Sequence, residues 1–395
     1  MKHKIICCSY YAFYDLQIEH MRYCNEKGDS QMLPYIPQTL PIKNLDWHRL
    51  IPLVSKSNAI LSQYNGLLES LVNPHVLLAP MTTKEATLSS KIEGTQATLS
   101  EVFRYEAGEN YNQEKNEDIE EIQNYRKAML EAENMLKDKP FIHLNMIKRL
   151  HEILLAGVRG NNKARGEFRK IQNWIGVSGS TIENAKYVPP TPTEMMKALD
   201  NWEKYINTDD VEDILIQLAF IHAQFEIIHP FLDGNGRIGR ILIPLFLYAK
   251  QYLKLPVFYL SEYLESNREG YYNHLNAITG KNDWQQWIEF FLNAIILQAE
   301  KNTKKAKEVL ALYDKMKDRF ISVTKSQYSA TALDALFTKP IISSAQFFVD
   351  AKIDSRVTAN RILQKLTADG ILEIIKEGKG NQPSTYAFNE LLDIV

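Results

Sequence analysis

Apolar positions recur three and four residues apart from Leu45 to about Met316, the spacing of helices that bury one face. The pattern predicts a mainly α-helical body with helices over 47–71, 117–137, 144–156, 193–207 and 212–227. Further helices are expected over 238–250 and 261–278, then a long one from 284 past 307. The connection from Gly108 to Lys115 is polar and acidic, hence exposed. Pro189, Pro190 and Pro192 punctuate the one extended region, and Thr193 is placed to cap the helix after it. Within that region, 168–190 carries β-branched and aromatic residues around Gly176-Val177-Ser178-Gly179-Ser180, which predicts a two-stranded hairpin.

From about Thr324 the pattern shortens. Helices are expected over 330–336, 344–351 and 355–369, the last with Val357, Ile362, Leu363 and Leu366 apolar and Gly370 as its stop. Residues 371–375 and 384–388 read as strands around Gly378-Lys379-Gly380-Asn381. This is the layout of a winged helix (α+β), with Arg356, Asn360, Arg361 and Lys365 on the would-be recognition helix. Residues 301–395 hold 15 Lys/Arg against 11 Asp/Glu, a modest excess for a DNA reader. DNA contact, protein docking and homodimer formation are therefore all open for this module.

Composition narrows the classes. The chain has 395 residues, 45% of them hydrophobic, and a net charge of −2, enough for two or three domains and without global attraction to nucleic acid or anionic lipid. Cys7, Cys8 and Cys24 show neither disulfide-framework nor zinc-site spacing. The first residues faintly imitate a signal peptide, but the apolar run is short, rich in tyrosine and stopped by Asp15, so it reads as a tail. No segment is apolar for long enough to span a membrane. A reduced, cytoplasmic setting is the expectation.

The chemistry concentrates in His229-Pro230-Phe231-Leu232-Asp233-Gly234-Asn235-Gly236-Arg237-Ile238-Gly239-Arg240, between two apolar helical patterns. A glycine-broken loop entering a helix is an anion site, because first-turn N–H groups point outward. Gly234 and Gly236 admit an anion close to the backbone, and Asn235 can orient a phosphate oxygen with its amide. Arg237 and Arg240 share one helix face and can grip a polyphosphate bidentately. Asp233 suits Mg²⁺ held mainly by substrate phosphates. His229 titrates near neutrality and can take a proton from an attacking hydroxyl. Together these describe nucleotidyl or phosphoryl transfer.

The twelve residues resemble the Fic-family signature at every fixed position. The resemblance implies an ATP-dependent protein adenylyltransferase that passes AMP to a Ser, Thr or Tyr hydroxyl of a target protein. It makes His229 the base and Asp233 the metal ligand, with Gly234, Asn235, Gly236, Arg237 and Arg240 around the phosphates. The 168–190 hairpin resembles the family's flap, which covers the nucleotide beside Lys186 and Tyr187 and aligns a target by edge pairing. Tyr271 and Tyr272 fall where relatives bound the adenine. Upstream, Ser89-Ser90-Lys91-Ile92-Glu93-Gly94 resembles the family's inhibitory motif, with Ser89, Glu93 and Gly94 in its specified places. That implies a bidentate pair between Glu93 and Arg240 that displaces the γ-phosphate, so ATP binds unproductively. The expected domains are a tail over 1–40, a helical region with the inhibitory motif over 41–115, a catalytic core over 116–300, and a linker helix with the winged helix over 301–395. Two alternatives stand beside AMP transfer: removal of AMP or transfer of phosphate by a related enzyme, and a nucleotide-sensing DNA-binding regulator.

Overall fold

The computed structural model describes residues 22–24, 30–157, 164–176, 179–380 and 382–395, with backbone alone for Arg22–Cys24 and Ser30–Met32. The signal-like start with Cys7 and Cys8, the flap-tip residues Val177 and Ser178, and Asn381 lie outside the described residues. Arg22–Cys24 (β1) and Ser30–Met32 (β2) pair antiparallel. Leu40 is buried, and its N–H and C=O both bond the Asn201 side-chain amide.

Helices dominate: α1 (Trp47–Ser70), α2 (Pro74–Leu77), α3 (Ala79–Ile92), α4 (Leu99–Glu106), α5 (Gln113–Asp138), α6 (Leu144–Leu154), α7 (Pro192–Asn207), α8 (Ile214–Ile228) and α9 (Asn235–Ala249). They continue with α10 (Ser261–Ser266), α11 (Arg268–Lys281) and α12 (Trp284–Thr324). The expected single helix over 261–278 is two, broken at Asn267, whose backbone leaves helical angles at φ −119° and ψ 34° while its side chain joins its N–H on the Tyr263 carbonyl. Thr191, not Thr193, caps α7: its hydroxyl accepts from the Glu194 N–H, and Pro192 follows at a position where a missing N–H costs nothing.

The chain forms two compact units. The first comprises residues 1–62, 88–95 and 123–299. Its centre is α8, buried on nearly every face because its sequence, Ile-Leu-Ile-Gln-Leu-Ala-Phe-Ile, is apolar all round. Asp213 starts it, accepting from the Leu215 and Ile216 N–H groups. The indoles of Trp202 on α7 and Trp287 on α12 donate to the Ile221 and Ala219 carbonyls, so both large rings are buried with their one polar atom satisfied. Rigid packing on α8 matters because its last turn and the start of α9 carry the signature loop.

The second unit comprises residues 63–87, 96–122 and 300–395. It holds α13 (Ser329–Thr338), β3 (Ile341–Ser343), α14 (Ser344–Asp350), α15 (Arg356–Ala368), β4 (Glu373–Lys376), β5 (Thr385–Ala387) and α16 (Asn389–Leu392). The three strands form an antiparallel sheet in the order β3-β5-β4, with Ile342 and Ile374 both opposite Tyr386. Ile341 and Ala387 pack with Phe103 and Ala107, and Gly370 ends α15 in the left-handed region at φ 72°. The strand β3 was not expected from the sequence: three residues are too few to show alternation.

Candidate functional site

The signature loop leaves α8 at His229, which closes the helix in a left-handed conformation, φ 49° and ψ 60°. Histidine tolerates this region better than most residues, but a non-glycine there is held by its surroundings. Its N–H still bonds the Phe225 carbonyl, so the helix turns sharply without losing that link. The ring is nearly buried, with Nδ1 3.3 Å from the Glu226 carbonyl oxygen. Nε2 has no hydrogen-bond partner among the described residues. With Nδ1 donating to a carbonyl, the lone pair falls on Nε2. Burial, followed by the positive charge of Arg169, pushes the imidazole down to about 4, against the pull of the Glu226 carbonyl, Glu93 and Asp233.

The loop is braced from inside. Asn235 accepts from the Phe231 N–H at 2.8 Å and donates to the Phe231 carbonyl at 2.9 Å. Its amide therefore also fixes the turn, and its main-chain N–H lies in the first turn of α9, where an anion would bind. Gly234 precedes it at φ 78°, where a side chain would strain the backbone. The Phe231 ring stacks on His151 with centroids 3.7 Å apart. His151 Nδ1 accepts from the Gly166 N–H, so its Nε2 carries the proton and donates to the Asp233 carbonyl at 3.0 Å. Burial pushes this imidazole down to about 4, which keeps it neutral in that role.

The acidic and basic groups divide differently from the expectation of two arginines acting together. Asp233 Oδ1 accepts from the Gly234 N–H at 2.7 Å and from Arg237 Nη2 at 3.3 Å. Arg240, three residues on and almost fully buried, turns to α3: Nε donates to Ser89 Oγ at 2.8 Å, Nη2 to the Ser89 carbonyl at 2.9 Å and to Glu93 Oε1 at 2.7 Å. The pair with Glu93 is thus a single contact, not a bidentate one, and Ser89 takes two more of the guanidinium's donors. Burial alone would lower the Arg240 titration, but Glu93 beside it holds it above its ordinary value. Arg240 Nη1 is buried with no hydrogen-bond partner among the described residues.

Glu93 lies directly against Gly236. A Cβ at that glycine would stand 2.1 Å from Glu93 Oε1, so the carboxylate occupies the space over the first turn of α9. Gly94, at φ 106°, ends the segment as its sequence predicts. On the other side of Arg240, Glu226 Oε1 is shielded and unpartnered, 2.2 Å from where a Cβ at Gly239 would stand. Burial pushes this carboxyl up to about 8, countered by Arg240.

The flap reduces to one antiparallel bridge, Ile175 with Tyr187, followed by hydrogen bonds that leave no regular two-stranded ladder among the described residues. A single 3-10 turn, Ile182–Asn184, fills part of the tip. The Tyr187 hydroxyl donates to the Ile227 carbonyl, tying the flap to the last turn of α8, so this side chain is structural. Lys186 is exposed beside it. Tyr271, expected at the adenine, is buried with its hydroxyl 2.9 Å from His222 Nε2, while Tyr272 stays half-buried. Three residues escaped the sequence reading: His151, Arg169 and Glu226. His151 stands on the apolar face of α6, where a lone histidine looks like core; Arg169 carries no spacing that links it to the loop, whereas Glu226, one helical turn before His229, could have been found from that spacing.

Residues 51–134 match the Fic/DOC family N-terminal model, and residues 141–247 match the Fic/DOC family model. Over 95 residues, 23% of this chain, the sequence is 33% identical to a probable protein adenylyltransferase of Aquifex aeolicus. Over 257 residues, 63% of this chain, it is 24% identical to the protein adenylyltransferase Fic of Drosophila erecta. These alignments span 29% and 46% of the relatives' own lengths. A Fic family protein from Desulfovibrio desulfuricans superposes with a TM-score of 0.58 at 20% identity, over 89% of this chain and 98% of that one, a likeness of fold. No helix among the described residues is long and apolar enough to cross a membrane.

Proposed function

We propose that this chain, which belongs to the Fic/DOC family through residues 51–134 and 141–247, transfers AMP from ATP to a Ser, Thr or Tyr hydroxyl of a target protein and is held back by Glu93. The observation that carries the reading is an imidazole whose Nε2 is buried and unpartnered, one tight loop away from a helix N-terminus. Such a ring is a base awaiting a donor, and such a terminus is a phosphate site.

The chemistry follows from those parts. The target hydroxyl oxygen attacks the α-phosphorus of ATP while His229 Nε2 takes its proton. The bond from that phosphorus to the bridging oxygen of the β-phosphate breaks, and pyrophosphate leaves. The first-turn N–H groups of Asn235 and Gly236, with Arg237 and Arg240, stabilise the phosphate charge. Phosphates beside His229 favour its protonated form, which draws the low-lying imidazole upward as the substrate binds. Tyr272 is the aromatic left half-buried for the adenine, and Lys186 stands on the flap along which a target chain pairs.

Asp233 fits a Mg²⁺ ion of the kind held chiefly by substrate phosphates. It brings one carboxylate to the loop, and no group of three or more His, Cys, Asp or Glu able to hold a metal occurs among the described residues. When bound, the ion supplies charge neutralisation on the polyphosphate.

Glu93 is the brake in this reading. Its carboxylate takes Arg240 and covers Gly236, so it competes with a phosphate for the same end of α9. The test is transfer from ATP labelled at the α- or the γ-phosphate, with wild type, Glu93→Gly and His229→Ala in a cell lysate. Protein label from the α position alone, strong with Glu93→Gly and absent with His229→Ala, supports the reading. Label from the γ position would make the enzyme a phosphate transferase. No label, with loss of AMP from modified proteins instead, would make it an AMP hydrolase.

A second role rests on a separate observation: Arg356, Asn360 and Arg361 are exposed along α15, next to the three-stranded sheet. In a winged helix these positions meet nucleic acid. Lys365 does not join them, since its ammonium donates to the Thr324 carbonyl. A DNA gel shift that weakens with salt and with Arg361→Ala tests this role, and no shift at low salt rejects it.

A further inference from the structure

We propose that Arg169 is a positioning residue for the transfer, holding the main chain of His229 in the left-handed turn that presents Nε2. The inference rests on His229 acting as the base. Arg169 comes from the stretch between α6 and the flap bridge, sixty positions before the histidine it supports. The residue is 2% exposed, and among the described residues each guanidinium hydrogen bond goes to a main-chain carbonyl. Nε donates to the His229 carbonyl at 3.0 Å. Nη2 donates to the Pro190 carbonyl at 2.5 Å and the Ile228 carbonyl at 3.4 Å, and Nη1 to the Ile171 carbonyl at 3.3 Å. The Arg169 N–H completes the brace, donating to the Pro230 carbonyl at 2.9 Å.

Three consecutive carbonyls, of Ile228, His229 and Pro230, therefore end on one residue. That is the stretch where α8 stops and its last C=O groups lose their helical donors. A buried guanidinium satisfied by carbonyls without a carboxylate is a costly way to fill a core. An apolar side chain would pack there at less cost, but it would leave those carbonyls unpaired and the left-handed histidine unsupported. Only a planar fork reaches the Pro190 flap carbonyl and the two α8 carbonyls at once; an ammonium at the same depth is a point donor. One side chain thereby fixes the base to the flap root.

The experiment uses the full chain with Glu93→Gly as the active background and adds Arg169→Lys or Arg169→Gln. Transfer is expected to fall at least tenfold in kcat in both, while ATP affinity, read with a fluorescent nucleotide, changes less than about twofold. Nitrogen-detected spectra of the His229 ring at neutral pH are expected to show the Nδ1–H form in the parent and a mixture of tautomers in the variants. That spectrum needs neither nucleotide nor target, so it stands or falls apart from the AMP-transfer reading. A kcat in Arg169→Lys equal to that of the Glu93→Gly parent, or an unchanged tautomer in either variant, overturns the proposal, as does an equal loss of ATP affinity and kcat. Should both variants fail to fold, the parent decides: an Nε2–H ring in the unsubstituted chain overturns the placement of the lone pair.

Discussion

The two ends of the signature loop are built on opposite plans. At the His229 end, every brace is a hydrogen bond to main chain: Arg169 to the carbonyls, Asn235 to Phe231, His151 to Asp233. The reactive atom is left bare. At the Arg240 end, the guanidinium is held by Ser89 on α3 and by Glu93 just past it: Nε meets the Ser89 hydroxyl, and Nη2 meets the Ser89 carbonyl and the Glu93 carboxylate. One end is preorganised and open; the other is preorganised and occupied. The difference suggests an enzyme whose chemistry is always assembled and whose substrate pose is what is withheld. On the proposed function, activation would require moving one carboxylate, not rebuilding a site.

The comparison breaks most visibly at the open end. His229→Ala removes the proposed base and is expected to lower AMP transfer about 10²- to 10⁴-fold in the Glu93→Gly background, the usual size of a general-base contribution. Labelled-AMP incorporation measures it. If transfer persists within a few-fold of the parent, the open imidazole is not the base.

The same end should show in the pH dependence of stability. His229 and His151 are pushed down to about 4, mainly by burial, from an unfolded value near 6.5. Between those values the unfolded chain binds protons that the folded chain does not, so stability rises with pH there. The contribution is complete above pH 6.5 and is lost as pH falls toward 4. Each ring is then worth on the order of 3 kcal/mol across that window. Tm is expected to drop between pH 7 and pH 5, and His229→Ala to drop less steeply. Parallel curves for the two proteins would mean that this imidazole is not held neutral by the fold.

At the occupied end the expected changes are smaller. Glu93→Gly removes one charge-assisted hydrogen bond from Arg240, an interaction of about 1.5–3 kcal/mol, so transfer should rise about 10- to 100-fold. Ser89→Ala removes an acceptor of the same guanidinium but leaves Glu93 in place. The Arg240 Nε donor is then buried unpaired, which costs about 1–3 kcal/mol of stability without freeing the phosphate end. A Tm loss with little gain in transfer is expected, and a gain matching Glu93→Gly would show that Ser89, not the carboxylate, sets the brake.

How much of this was legible in the chain depended on distance along it. The residues from His229 to Arg240 are contiguous, so their chemistry and the helix break could be read directly, as could the Gly94 stop of the inhibitory segment. Bond assignments within the loop could not. The Asn235 amide looks free for a phosphate until Phe231 is folded back over it. Arg240 looks free to make a bidentate pair, but its contact with Glu93 is single and Ser89 takes two more of its donors. Arg169 and His151 reach the loop from 60 and 82 positions away. In sequence they are an ordinary basic residue and a histidine on a helix face, because carbonyl acceptors leave no mark on side-chain pattern. At the flap, β-branched content predicted the pairing of its two arms, seen at Ile175 and Tyr187, but not the bond by which the Tyr187 hydroxyl ties it to α8.

The smallest expected effect separates two ways of holding the brake. Lys91, next to the inhibitory serines, pairs with Glu265 at 2.8 Å, and the lysine side chain is 53% exposed. A pair so open to water contributes about 0.2–1 kcal/mol and is screened by salt. If α3 were kept in place by this pair, Lys91→Ala would release the enzyme much as Glu93→Gly does. If the buried contacts of Arg240 keep it, Lys91→Ala should change transfer by less than about fivefold, and less still at high salt. The burial difference favours the second outcome: Arg240 is 1% exposed, and a guanidinium cut off from water loses far more when its partner leaves. Transfer rates of the two variants at low and high ionic strength decide between them, since only a surface latch would make wild type more active as salt rises.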